Sequence, residues 1–409
     1  MKRGEILYFL KYQWKEGISM TAFEQVIDRR NTRSVKWDLM EMIYGIEDAS
    51  DILPMWVADM DFAAPKAVTD ALHTRIDHPV FGYSYMCEGC KTAVQMWLKE
   101  RHNWHTENEW MLFHHGVVPA IASVTEAFTE KGDRILITPP VYPLFFSVPE
   151  KQGRQIVESV LIEEKGTYKM DFISFEEQLM QGVKLFILCN PHNPGGMVWS
   201  KETLQEIIRL CAKYDTLILS DEIHGDLVFS GHQHIPLITL AGDEADRIIT
   251  CVAPTKTFNL AGVQAAVMIA TDSEKRQKLK ENALAHGQME LSPFAATALT
   301  AAYEDGGPWL DELMDVLSSH MDYAIEKITQ AVDGIKINKP QGTYLLWIDY
   351  RDTGLTEKEI MDKLLTKGKL ALEPGSKYGD SGNGFLRMNV ACPRQTLEDG
   401  VMRFITALT

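Results

Sequence analysis

Val252-Ala253-Pro254-Thr255-Lys256-Thr257-Phe258-Asn259-Leu260-Ala261-Gly262 is the stretch from which the rest of the chain can be read. It follows an apolar run, Ile248-Ile249-Thr250-Cys251-Val252, with the pattern of a buried strand. Pro254 lacks a backbone donor, so the regular strand ends near it. A lysine at such an edge has little water around it, and desolvation disfavours its ammonium form. An amine of lowered pKa can attack an aldehyde and form a Schiff base. Taken alone a lysine says little, because most are solvated surface groups. The segments upstream decide the matter.

Ile135-Leu136-Ile137, Leu185-Phe186-Ile187-Leu188 and Leu217-Ile218-Leu219 are short apolar runs of the kind buried on both faces of a sheet. Between the last two the spacing predicts a helix capped by Ser200, with Leu204, Ile207, Ile208 and Cys211 on one stripe. Strand, helix and strand in this alternation predict an α/β fold with a mostly parallel sheet covered by helices.

Four features then surround Lys256. His115-Gly116-Val117-Val118-Pro119 is a glycine turn entering a helix, where backbone N–H groups offer an anion site suited to a phosphate ester. Pro139-Pro140-Val141-Tyr142-Pro143 is a rigid turn that can present the flat face of Tyr142. Asn190-Pro191-His192-Asn193-Pro194-Gly195-Gly196 turns directly after a buried strand and brings amide donors. Asp221, in Ser220-Asp221-Glu222-Ile223-His224, ends an apolar strand, where open α/β sheets bind ligands. A carboxylate there can pair with a protonated pyridine nitrogen.

In this order the features resemble the fold-type I pyridoxal phosphate enzymes, the aspartate aminotransferase superfamily, over nearly the whole chain. Pro54-Met55-Trp56-Val57-Ala58-Asp59-Met60-Asp61-Phe62, Phe81-Gly82-Tyr83, Asp221-Glu222-Ile223-His224 and the Lys256 segment look like its C–S lyase branch, cystathionine β-lyases of the maltose-regulon-modulator type. The resemblance implies pyridoxal 5'-phosphate as cofactor and Lys256 as the Schiff-base lysine. It makes Asp221 the pyridinium partner, Asn193 a ligand of the ring hydroxyl with His224 beside it, and Tyr142 the stacking ring. Val117, Val118 and Thr255 would bind the phosphate. Arg387 would clamp the substrate carboxylate through its planar fork. Trp56 would wall the thioether side chain. Tyr83 would reach the phosphate or substrate of the neighbouring subunit in a homodimer.

Two positions depart from the aspartate aminotransferase pattern. His224 stands where those enzymes have a tyrosine, and Gln264 where they place a phosphate-binding arginine. Both read as markers of the lyase branch. The chemistry of the residues leaves transamination and β-elimination open, and the resemblance favours elimination of a thiol from cystathionine or cysteine-like thioethers. A regulatory binding protein on the same fold is the reading from another class, but a binding protein has no need of Lys256 and Asp221 together.

The rest of the chain sets bounds. It has 409 residues and a formal charge of −16, from 57 acidic against 41 basic residues, which argues against nucleic acid and anionic membranes as partners. No apolar run is long enough to span a bilayer. Six cysteines in a chain of this length suit free thiols in a reducing cytosol, so a cytoplasmic location is expected. Met1 to Gly17 lacks the apolar block of a signal peptide, and Met20 is as good a start as Met1.

The expected organisation is an N-terminal arm over 1–60 that completes the small domain, a large cofactor-binding domain over 61–307, and a smaller α+β domain over 308–409. Within the last, a helix is expected over Trp309 to Val332, strands over Gly342 to Ile348 and Phe385 to Val390, and a helix opened by the capping box Thr356 to Glu359. Cys87-Glu88-Gly89-Cys90 with His102 and His105 is too closely spaced for a zinc finger, and Lys91 to Arg101 reads as a plain amphipathic helix, so no metal is expected. His114, His115, His232 and His234 read as surface or turn histidines.

Overall fold

The computed structural model describes residues 22–288 and 290–409, so the leader and the choice between Met1 and Met20 lie outside the described residues. The apolar runs build a seven-stranded sheet from Met111–His114 (β1), Arg134–Ile137 (β2), Gln155–Glu158 (β3), Val183–Cys189 (β4), Leu217–Asp221 (β5), Ile248–Val252 (β6) and Ala266–Ile269 (β7). Their spatial order is β1-β7-β6-β5-β4-β2-β3. Every neighbouring pair is parallel except those made by β7, which runs against both β1 and β6. A parallel return needs a crossover along the sheet face. The 253–265 connection forms only a four-residue helical turn and a short 3₁₀ turn, not a crossover helix, and β7 folds back beside β6.

Helix Val117–Phe128 (α1) follows β1, and helix Lys201–Lys213 (α2) joins β4 to β5. The Ser200 hydroxyl caps α2 by accepting from the Thr203 amide, and Leu204, Ile207, Ile208 and Cys211 are buried as their spacing predicts.

The C-terminal part forms an antiparallel sheet of Lys336–Ile337 (β8), Leu345–Asp349 (β9), Glu373–Pro374 (β10) and Phe385–Asn389 (β11), in the order β8-β9-β11-β10. The strand expected from Gly342 begins only at Leu345, because Thr343 takes a left-handed φ of 70°. The helix expected from Trp309 begins two residues earlier, spanning Gly307–Ala331 (α3), with Pro308 in its first turn where no donor is needed. Helix Arg394–Leu408 (α4) closes the chain. The capping box at Thr356 and Glu359 is present.

The segment around Met55 is stitched to this C-terminal sheet. Leu53–Pro54 pairs with Leu370–Ala371, the Asn389 amide donates to Met55, and the Asp61 amide donates to Ala391. It is thereby delivered across the mouth of the large sheet, beside Lys256. Among the described residues no helix is long and apolar enough to cross a membrane.

Candidate active site

β1, β2, β4, β5 and β6 point the same way, so their carboxyl ends share one edge of the sheet. There β5 ends on Asp221, whose row across the sheet is Cys189 on β4 and Cys251 on β6. Asp221 is 5% exposed. Among the described residues no cation stands within ion-pair distance of it. Burial between weakly polar neighbours raises its carboxyl to about 7, against the opposing pull of the Ile223 amide and the Lys256 amine.

Lys256 sits in a single helical turn, Pro254–Thr257, with Pro254 pre-set for the first position. Its amine donates to the Ala58 carbonyl oxygen at 2.6 Å. Desolvation, helped by the nearby Arg387 guanidinium, lowers the ammonium to about 8. Asn259, three residues on, clamps the turn to the arm. It accepts from the Met60 amide and donates to the Met60 and Phe62 carbonyls.

His224 is buried, and its Nδ1 has no hydrogen-bond partner. Burial and the two neighbouring cations hold it down to about 3, so the ring is neutral. The Tyr142 turn after β2 is pinned by the Val141 amide donating to the Tyr378 carbonyl. Burial pushes the Tyr142 phenol up to about 12, so it is a neutral ring. At the other end, Gly116 adopts φ +124°, a region side chains avoid, and opens α1 at Val117. The first-turn amides of Val117 and Val118 have no acceptor within the helix. Thr255 is buried, and Gln264 is exposed with a left-handed φ of 58°.

Arg387 on β11 is 3% exposed. Its Nη1 donates to Asn193 Oδ1 at 3.2 Å, its Nη2 donates to the Trp56 carbonyl at 2.9 Å and to the Glu373 carboxylate, and its Nε has no partner. Trp56 therefore meets the site through its backbone. Its indole is packed beside Met40 and Tyr44 and donates to the Lys36 carbonyl. Tyr83 is fully exposed, on a segment where Val80, Phe81 and Tyr85 are exposed as well.

Two histidines differ from expectation. His114 and His234 are buried rather than on the surface. Glu222, itself buried, draws His234 inside at 2.9 Å, and His114 packs on Ser123 at 3.2 Å. Sequence reasoning also missed Glu373, Tyr344, and Asp226, whose carboxylate accepts from Trp97, His102 and Thr257 behind the Lys256 turn. Asp226 follows Asp221 by five residues, but nothing local marks its partners.

Known proteins resemble the chain over nearly its whole length. Cystathionine beta-lyase PatB of Bacillus subtilis is 45% identical over 388 residues, which are 95% of this chain and 100% of that protein. The structure of cystalysin from Treponema denticola, which contains pyridoxal 5'-phosphate, superposes with a TM-score of 0.91 at 34% identity, over 94% of this chain and 98% of that one. The pyridoxal phosphate-bound C–S lyase of Staphylococcus hominis superposes with a TM-score of 0.88 at 29% identity, over 95% and 98%. The family model of aminotransferase class I and II matches residues 51–404, and the chain belongs to that family.

Proposed function

We propose that this chain is a pyridoxal 5'-phosphate-dependent carbon–sulfur β-lyase that cleaves cystathionine, and cysteine-like thioethers, to a thiol, pyruvate and ammonia. The names of PatB and of the Staphylococcus hominis lyase, and the cofactor bound in the two solved structures, support it. The observation that carries it is the buried Asp221 carboxylate without a cation, on the strand edge it shares with Lys256. A buried acid of that kind is satisfied by a protonated pyridine nitrogen. The unpartnered Nδ1 of His224 and the open amides of Val117 and Val118 fit the remaining polar groups of the same cofactor.

Asp221 would hold the ring nitrogen, Asn193 and His224 the side of the ring hydroxyl, Tyr142 the ring face, and Val117, Val118 and Thr255 the phosphate. When bound, the cofactor supplies an electron sink for the charge left at the substrate Cα. Lys256 would hold the cofactor through its aldehyde and would serve as the general base at the substrate Cα. With its pKa lowered to about 8, a useful fraction of the amine is unprotonated near neutrality and can take the Cα proton. Arg387 holds the substrate α-carboxylate, with Asn193 fixing one edge of its fork. The protein acts as a homodimer in which Tyr83 of one protomer serves the site of its partner. We also propose the division into an arm over 1–60, a large domain over 61–307 and a small one over 308–409.

β-Elimination consumes no keto acid, whereas transamination would stall without a keto-acid acceptor. The test is incubation with cystathionine and no keto acid. Sustained, equimolar release of pyruvate and thiol over many turnovers is expected. A single turnover that resumes only on adding a keto acid would make the protein an aminotransferase.

A further inference from the structure

Cys87 and Cys90 stand at the start of the helix Glu88–His102, Cys87 in the N-cap position. Their sulfurs are 3.3 Å apart, already in contact, against about 2.05 Å in a disulfide. Cys87 is exposed and Cys90 is buried beneath it. The Cys90 amide and thiol hold the Cys87 thiol below its ordinary range, while burial raises that of Cys90. The other four cysteines, Cys189, Cys211, Cys251 and Cys392, are all buried, and burial pushes each thiol up. Among the described residues, no group of three His, Cys, Asp or Glu side chains is placed to hold a metal. The proposed lyase chemistry does not use the pair. An exposed, thiolate-prone sulfur touching a shielded second sulfur supplies both an attacking and a resolving group.

We infer that Cys87 and Cys90 are a redox-active dithiol that exchanges with low-molecular-weight disulfides and closes to an intrachain disulfide. The Cys87 thiolate attacks one sulfur of a disulfide RSSR, the S–S bond breaks, and RS⁻ leaves, giving a mixed disulfide on Cys87. Cys90, losing its proton, attacks Cys87 Sγ, the mixed bond breaks, and the second RS⁻ leaves. The cysteines give up two electrons and two protons, and RSSR becomes two RSH. Excess free thiol reverses both steps. The pair directly follows the exposed segment carrying Tyr83, which Ser84 and Met86 tie to Leu291 and Glu290, so the bridge forms at the root of that segment.

The test equilibrates the holoenzyme in buffers of stepped glutathione to glutathione disulfide ratio, alkylates the remaining thiols, and maps the cysteine peptides by mass spectrometry. The thiols of Cys87 and Cys90 should disappear together, with the other four retained until the protein is denatured. Cys90→Ser should instead accumulate a glutathione adduct on Cys87. Cys90→Ala replaces it if the serine does not fold. Three results overturn the inference: both thiols surviving the fully oxidised buffer, a lasting adduct on Cys87 in the unsubstituted chain, or no adduct in either Cys90 variant. The readout is the state of the thiols, so it stands or fails independently of lyase activity.

Discussion

The Lys256 amine and the Tyr344 hydroxyl converge on one acceptor, the Ala58 carbonyl oxygen, at 2.6 and 2.8 Å. Ala58 thus keeps a donor when Lys256 is removed. Lys256→Ala should therefore abolish turnover, by about 10²–10⁴-fold for the lost base alone, while the fold stays intact. Borohydride treatment should fix the cofactor on the peptide containing Lys256 and leave the variant unlabelled. Label on another lysine would refute the anchor role.

Removing the cofactor should expose a pH dependence of stability with a definite sign. The Asp221 carboxyl, raised from 3.8 to about 7, stays protonated in the native state where the unfolded chain has already ionised. The native state then binds more protons, so stability falls as pH rises from about 4 to about 7. The Lys256 amine, lowered from 10.5 to about 8, is deprotonated in the native state while the unfolded chain keeps its proton, so stability returns as pH rises from about 8 to about 10.5. Asp221→Asn lacks the first effect. In urea titrations of cofactor-free protein it should gain on the unsubstituted chain by a few kcal/mol between about pH 5 and pH 7. A gap that does not widen would show that Asp221 is not the group.

The sheet was legible because β2, β4, β5 and β6 each carry a short apolar stretch; Asp221 ends one of these strands, and Asn193 and Lys256 closely follow two others. Sidechain identity and position after a strand were enough to bring those residues to one edge. Glu373 was not legible. It lies on a two-residue strand, and only the register Glu373 opposite Arg387 makes it a partner. The Ala58 carbonyl is backbone and carries no residue signature. Trp56 shows the converse: its identity was visible, but the direction of its ring depends on the helix Met40–Tyr44, too short to show a clear periodicity. His234 escaped because Glu222, its partner, is twelve residues away in sequence.

Glu373 and Arg387 can be separated by experiment. Arg387→Ala should raise KM for amino acids on the order of 10²-fold, through loss of charge-assisted hydrogen bonds to the carboxylate. It also leaves Glu373, only 13% exposed, with Tyr378 and the more distant Lys377 as partners. Breaking a buried ion pair costs at most about 3–5 kcal/mol, part of which Lys377 and Tyr378 offset here. Adding Glu373→Gln should recover most of the stability and none of the KM. Recovery of KM would mean that the carboxylate binds elsewhere.

Asp226 gives a prediction about support rather than contact. It accepts from Trp97 at 3.0 Å, His102 at 2.7 Å and Thr257 at 2.7 Å, and Thr257 adjoins Lys256. Asp226→Ala strands three buried donors, each worth about 1–3 kcal/mol when unmet. Thermal unfolding should drop steeply. Asp226→Asn keeps acceptor and size and should lose less. Equal losses would show that the carboxylate charge, rather than its geometry, holds the turn.

Tyr83 tests the assembly. Tyr83, Val80, Phe81 and Tyr85 are 106%, 64%, 55% and 75% exposed, a run of large apolar and aromatic side chains open to solvent in the single chain. Such a patch favours coverage by another surface, and in the proposed dimer that surface is the partner's site. Tyr83→Phe and Lys256→Ala chains should each be impaired alone. When they are mixed and allowed to exchange subunits, half the dimers are mixed by statistics. Each mixed dimer has one site carrying both lesions and one carrying neither. If Tyr83 acts across the interface, about a quarter of the full activity should return in an equimolar mixture. The exchange itself is checked by native mass spectrometry. Mixed dimers without recovered activity would place Tyr83 in its own protomer's site.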